Sequence, residues 1–244
     1  MENISGYLHS VESAGMQDGP GIRRVLFLNG CPLNCVYCHN PDTRKCKGGT
    51  KTDSYTELKA IHKHQHLLKS WDGGVTISGG EPLIQPKFVK SIFEGCKLMG
   101  LHTALDTSGF VGHLADDELL EYTDLVLLDI KHLDPQGYKR VTGVNLQPTL
   151  DFAERLAAMN KSVWLRFVLV PGYTDDMNAV SKMAAYAREL GNVERVEVLP
   201  FHKMGEYKWE ELDMNYGLFD TPEPDAELIA ITKAQFAEEG LEVY

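Results

Sequence analysis

The sequence predicts an α/β fold with a parallel sheet, rolled into a partial barrel or left open. Three observations lead there. Short aliphatic runs alternate about six times with amphipathic helical patterns, the signature of βαβ units. The runs are almost continuously apolar, as strands covered on both faces require. No repeat, low-complexity tract or interdomain linker interrupts the alternation, and 244 residues with 43% hydrophobic content suffice to bury one core.

Taken in order, strands are expected at RRVLFLN (23–29), GVTIS (74–78), LHTALD (101–106), DLVLLDIK (124–131), VWLRFVLV (163–170) and RVEVLPF (195–201). In PKFVKSIFEGCKLMG, Phe88, Ile92, Phe93, Cys96 and Met99 share one helix face; Pro86 suits the start and Gly100 the end. PTLDFAERLAAMN and DDMNAVSKMAAYARELG each end on a residue, Asn160 or Gly191, that tolerates a left-handed C-cap. HKHQH (62–66) reads as the solvated face of a helix rather than a metal site, because it lies far from the strand ends.

A formal net charge of −11 offers no electrostatic footprint for nucleic acid or an anionic membrane. The first fifteen residues show no basic segment followed by an apolar run, and no stretch approaches the roughly 18 apolar residues of a membrane span. A soluble, cytoplasmic, monomeric protein is expected, with small molecules and proteins as partners. Five cysteines, an odd number in a reducing compartment, argue against a disulfide framework.

The polar residues that interrupt the apolar runs cluster at strand ends. Cys31 follows the first strand, SGGEP (78–82) ends the second, DTSG (106–109) the third, and Asp129 and Lys131 the fourth. Arg166 lies on the fifth, VPG (170–172) ends it, and His202 follows the sixth. Parallel α/β sheets build active sites at the carboxyl ends of their strands, so these segments are expected to converge.

Three cysteines crowd one of those ends: Cys31, Cys35 and Cys38 in NGCPLNCVYCHNPDT, spaced C-x3-C-x2-C. Zinc on three thiolates plus His39 would need adjacent side chains to converge on one ion. Covalent haem on CVYCH would need export, and a dithiol redox pair leaves Cys31 unexplained. An iron–sulfur cluster fits better. A four-iron cluster usually takes four thiolates, so three leave one iron open to bind a small molecule. Cys96 reads as core packing and Cys46, in RKCKGG, as incidental though nearby.

These residues resemble a known family. The cysteine spacing, with Tyr37 before the last cysteine, resembles the first motif of the radical S-adenosylmethionine superfamily, and Gly79-Gly80-Glu81 resembles its second. DGPGIR (Asp18, Gly19, Pro20, Gly21, Ile22, Arg23) resembles the hallmark of glycyl-radical-enzyme activating enzymes. CHNPDT, SGGEP, LDTSGF, LLDIK, RFVLVPGYTDD and LPFHKMGEYKW then follow in the order found in activators of pyruvate formate-lyase. Only a short loop follows Cys38, so the short, single-cluster type fits rather than activators with an inserted ferredoxin-like segment.

The resemblance implies a single-domain partial (β/α)6 TIM-like barrel. Residues 1–22 would form an N-terminal extension, 23–202 the barrel core and 203–244 a C-terminal segment. It implies a [4Fe–4S] cluster on Cys31, Cys35 and Cys38. S-adenosylmethionine would be held by Tyr37, Cys38, His39, Gly79, Gly80, Glu81, Asp129, Ile130, Lys131 and His202, and a monovalent cation, sodium or potassium, by Asp106, Thr107 and Asp129. One electron would cleave the sulfonium, and the resulting 5′-deoxyadenosyl radical would take a hydrogen from a backbone glycine of the partner, pyruvate formate-lyase, held by Asp18 to Arg23. The alternatives are activation of another glycyl radical enzyme, or metal binding without turnover. Arg44 and Ser108 depart from the residues the family commonly shows there.

Charge distribution adds one expectation. Arg44, Lys45 and Lys47, close in sequence to the cysteines, would dock an acidic electron donor such as flavodoxin or ferredoxin.

Overall fold

The computed structural model describes residues 2–244. In chain order the elements are β1 (Ser5–Gly15), β2 (Arg23–Leu28), β3 (Thr50–Asp53), α1 (Ser54–Ser70), β4 (Gly74–Gly79), α2 (Pro86–Leu98), β5 (His102–Thr107) and α3 (Asp117–Glu121). There follow β6 (Leu125–Asp129), α4 (Pro135–Thr142), α5 (Gln147–Ala158), β7 (Ser162–Leu169), α6 (Met177–Leu190), β8 (Val193–Pro200), α7 (Glu206–Glu211) and α8 (Ala226–Glu238). The strands form one eight-stranded sheet in the order β3-β1-β2-β4-β5-β6-β7-β8.

The six strands expected from the apolar runs are β2 and β4 to β8, and the pairs β2–β4, β4–β5 and β7–β8 are parallel. This is the predicted α/β class, consistent with a partial barrel. The remaining two strands depart from expectation. β1 pairs antiparallel with β2, and β3 antiparallel with β1, so residues 5–15 are part of the sheet rather than an extension beside it. Their pattern explains why: beyond Leu8, β1 is mostly half-buried or exposed and rich in polar residues, and β3 is four polar residues long. Neither offers the apolar run that marks a buried strand.

Helix ends follow local chemistry. Pro86 opens α2, Asn160 takes a φ of 50° after α5, and Gly191 closes α6 at φ 72°. Asp53, Asp116, Asp134, Asp176 and Asp225 each accept a backbone N–H at the start of α1, α3, α4, α6 and α8. Each cap is worth about 1 kcal/mol. Part of the acidic surplus thus serves helix starts. His62, His64 and His66 lie on α1, and all three are exposed. Among the described residues no helix is long and apolar enough to cross a membrane.

The chain divides into two compact units. The first comprises the described residues to Pro32, Thr43–Thr107 and Val111–Leu127; the second comprises Leu33–Asp42, Ser108–Phe110 and Leu128–Tyr244. In the first, Val25, Leu26, Leu28, Val75, Ile77, Ala104 and Leu105 from the strands pack with Phe88, Ile92 and Phe93 of α2, all at most 1% exposed. The second buries Leu165, Phe167 and Leu169 of β7 with Val180, Met183 and Ala184 of α6 and Phe236 of α8. Each large side chain so buried contributes roughly 1.5–3 kcal/mol.

Candidate active site

In the first unit, the register aligns Leu28 with Gly79, so the carboxyl ends of β2 and β4 lie side by side. Gly79 has a φ of 123°, a conformation that an L side chain resists. At Gly80 a Cβ would stand 2.2 Å from the carbonyl oxygen of Gly30 and 3.2 Å from the Cβ of Cys31. The backbone of Gly79-Gly80 therefore lies directly against the loop that carries Cys31. Backbone hydrogen bonds tie this loop down further, from Glu81 N–H to the Gly30 carbonyl (2.7 Å) and from Cys31 N–H to the Arg44 carbonyl (3.2 Å).

Glu81 is fully buried; its Oε1 accepts from the Leu83 amide (3.1 Å) and from the Thr107 hydroxyl (2.6 Å). The Asp106 carboxylate accepts from the Ser78 hydroxyl at 2.5 Å. The sequence does not reveal the contact of Ser78 with Asp106 or of Thr107 with Glu81; the only signal is their place within SGGEP and DTSG. Cys46 is exposed, with its Sγ 3.2 Å from where a Cβ on Gly30 would sit, so it borders the Cys31 loop. Cys96 is buried, and burial pushes its thiol up to about 12, in keeping with core packing.

DGPGIR gives a different result from the one expected. The sequence suggests a fixed charge offered at a turn, yet Arg23 is fully buried at the amino end of β2. Its Nε donates to the Thr76 hydroxyl (2.6 Å) and its terminal nitrogens to the carbonyls of Pro20 and Val75 (both 2.9 Å). Thr76 in turn donates to the Asp18 carbonyl at 2.6 Å. Burial lowers the Arg23 pKa to about 10, against the attraction of Asp18. Arg23 thus holds its own turn instead of presenting charge to a partner.

In the second unit, the segment from Leu33 to Asp42 is tied at several points. Asn34 and Val36 donate their amides to the carbonyls of Thr142 (2.8 Å) and Val141 (3.0 Å) at the end of α4. Cys35 and Tyr37 are buried, and Cys38 is half-buried. Among the described residues the Tyr37 hydroxyl is a buried polar atom with no hydrogen-bond partner, as is Nδ1 of His202. His39 Nε2–H donates to the His202 carbonyl at 3.0 Å, and the two rings lie 4.2 Å apart. Burial lowers the His39 pKa, partly offset by that hydrogen bond.

Lys131 lies 3.2 Å from Asp129 and 5.7 Å from the Tyr37 ring centre. Burial works against its charge, but Asp129 together with Tyr37, Cys35 and Tyr138 outweighs it, and the Lys131 pKa stands well above its usual value. Lys131 thus gives Asp129 a counter-charge from within the protein. Arg166 pairs with Glu197, at 3.1 Å.

Residues 25–184 match the radical SAM superfamily. The chain belongs to that superfamily. It is 40% identical over 243 residues to the pyruvate formate-lyase 1-activating enzyme of Escherichia coli K12, covering 99% of each chain. It is 44% identical over 224 residues to the pyruvate formate-lyase-activating enzyme of Clostridium pasteurianum, covering 92% of this chain and 94% of that one. Its fold is similar to that of a radical SAM methyltransferase from Sphaerobacter thermophilus, with a TM-score of 0.68 at 13% identity over 100% of this chain and 72% of that one. The radical SAM family uses a [4Fe–4S] cluster and S-adenosylmethionine, which supersedes the zinc and haem readings of the cysteines.

The residues present fit both cofactors. None of the five cysteines is tied up in a disulfide, leaving soft thiolate donors for iron. Within the second unit, the buried Tyr37 hydroxyl and His202 Nδ1 have no hydrogen-bond partner among the described residues, which suits them to polar groups of a bound cofactor.

Proposed function

We propose that this protein activates pyruvate formate-lyase by generating a glycyl radical on it. The observation that carries the reading is 40–44% identity, over nearly the full length, to proteins named for that activity. When bound, the reduced cluster would supply the single electron for reductive cleavage of S-adenosylmethionine, with release of methionine, and so the means of removing a hydrogen atom from the partner's glycine. The protein's own contribution is binding, orientation and exclusion of water.

Cys31, Cys35 and Cys38 are proposed as the cluster ligands on their spacing. Gly79, Gly80 and Glu81 would receive the methionyl ammonium, Glu81 held in place by Thr107 and the Leu83 amide. Tyr37, Cys38, His39, Asp129, Ile130, Lys131 and His202 would hold the remainder of the cofactor, with Lys131 kept cationic by Asp129. Asp18 to Ile22 would meet the partner's glycine loop, and buried Arg23 would hold that turn in shape. The exposed Lys45 and Lys47, with half-buried Arg44, would receive an acidic flavodoxin or ferredoxin in the cytoplasm.

The test is electron paramagnetic resonance on the anaerobically reconstituted, reduced protein. S-adenosylmethionine should change the cluster spectrum, and added pyruvate formate-lyase should acquire a glycyl-radical signal. A spectrum indifferent to S-adenosylmethionine would support binding without turnover. A radical formed only on another glycyl radical enzyme would reassign the partner.

A further inference from the structure

Segment 35–42 has little regular structure of its own. Cys38 N–H closes a turn on the Cys35 carbonyl at 3.2 Å, and a single 3-10 turn begins at Pro41. Its position therefore depends on what packs against it. Besides the end of α4, that is the stretch from His202 to Trp209.

Contacts from four residues of that stretch, all within the second unit, converge there. The buried Trp209 indole N–H donates to the carbonyl of Cys38 at 2.9 Å. Lys208 Nζ donates to the Asn40 side-chain oxygen at 2.7 Å and lies 3.6 Å from Asp42. The His202 carbonyl receives the His39 ring. Gly205 lies against the His39 backbone so closely that a Cβ there would stand 2.8 Å from the His39 Cα.

We infer that residues 202–209 form a clasp on the third cysteine, and that Trp209 is its positioning residue. The indole suits that role because it is rigid, donates only, and is itself backed by Tyr216 with ring centres 5.4 Å apart. Its hydrogen bond reaches the backbone of Cys38 itself, whereas the other contacts hold residues beyond it. Losing the donor would leave a carbonyl short of its partner and free Cys38 to shift. This rests on the reading of Cys38 as a cluster ligand.

Three variants separate the possibilities. Cys38→Ser should lose the cluster. Trp209→Phe keeps an aromatic ring but removes the N–H; the reconstituted holoenzyme should release iron to a chelator about tenfold faster, equivalent to ~1.4 kcal/mol. Its reduced cluster should also show an altered spectral response to S-adenosylmethionine. Tyr216→Leu loosens the backing of the ring but keeps the N–H, so it should lower the melting temperature while leaving iron release and spectrum near those of the parent. If Cys38→Ser retains the cluster, the ligand reading fails and the clasp with it. If Cys38→Ser loses the cluster while Trp209→Phe matches the parent, or matches Tyr216→Leu in melting temperature alone, the clasp is wrong and the ligand reading stands.

Discussion

The paired strands β2 and β4 carry a glycine-rich motif at each end, and the two ends use similar residues for opposite purposes. At the amino end, DGPGIR folds back on the sheet: Arg23 is fully buried, and its guanidinium is bound to Thr76, Pro20 and Val75. At the carboxyl end, Gly79 and Gly80 bring bare backbone against the Cys31 loop, and the charged residue, Glu81, is steadied by Thr107. Glycine provides the tight turn at both. What differs is where the charge goes. At one end the guanidinium closes a structural loop; at the other the geometry supports a loop carrying a thiol. Both charges are buried within the protein, and the two motifs differ in which loop each one holds in place.

The largest effect should come from the amino end. Arg23→Met would strip donors from several buried acceptors and remove a countercharge from Asp18, costing about 3–5 kcal/mol of stability. Urea denaturation should show that loss, while S-adenosylmethionine affinity per folded molecule stays at the parental value. A matching fall in affinity would mean that the two ends are not separable. Lysine at this position should not restore stability, since it lacks the planar fork that reaches three acceptors at once.

A smaller loss of free energy, but a greater loss of activity, is expected at the carboxyl end. Gly80→Ala would place a methyl group 2.2 Å from the Gly30 carbonyl and force the Cys31 loop to move. Reductive cleavage of S-adenosylmethionine should fall by at least about a hundredfold, ~2.7 kcal/mol, with a circular dichroism spectrum like that of the parent. Parental cleavage rates would show that the close backbone approach has no part in the site.

The smallest effect sharpens the comparison, because each end has a threonine hydroxyl serving its charged residue. Thr107→Val would remove one donor from Glu81, at a cost of about 1–2 kcal/mol. Calorimetric titration should show S-adenosylmethionine binding roughly tenfold more weakly, with little change in stability. Thr76→Val should do the reverse, lowering stability and sparing affinity.

Much of this architecture is legible in the chain alone. The expected strands announce themselves as apolar runs because most of their residues are buried, β8 the least so, and helix ends at Pro86, Asn160 and Gly191 are set by backbone preferences within a few residues. The cysteine spacing and the order of the motifs point to the superfamily, since a cluster needs soft donors close together in the chain. What stays hidden has one physical cause. β1 and β3 form through backbone pairing with neighbours, which polar residues satisfy as well as apolar ones do. The burial of Arg23, the hydrogen bond from Thr107 to Glu81, the pairing of Lys131 with Asp129 and the reach of Trp209 to Cys38 each depend on which side chains the tertiary structure brings together. Residue type and local spacing determined which groups were available for chemistry. Only long-range packing decided which of those groups serve the fold and which are left to the site, because a hydrogen bond between residues 171 positions apart leaves no local pattern to read.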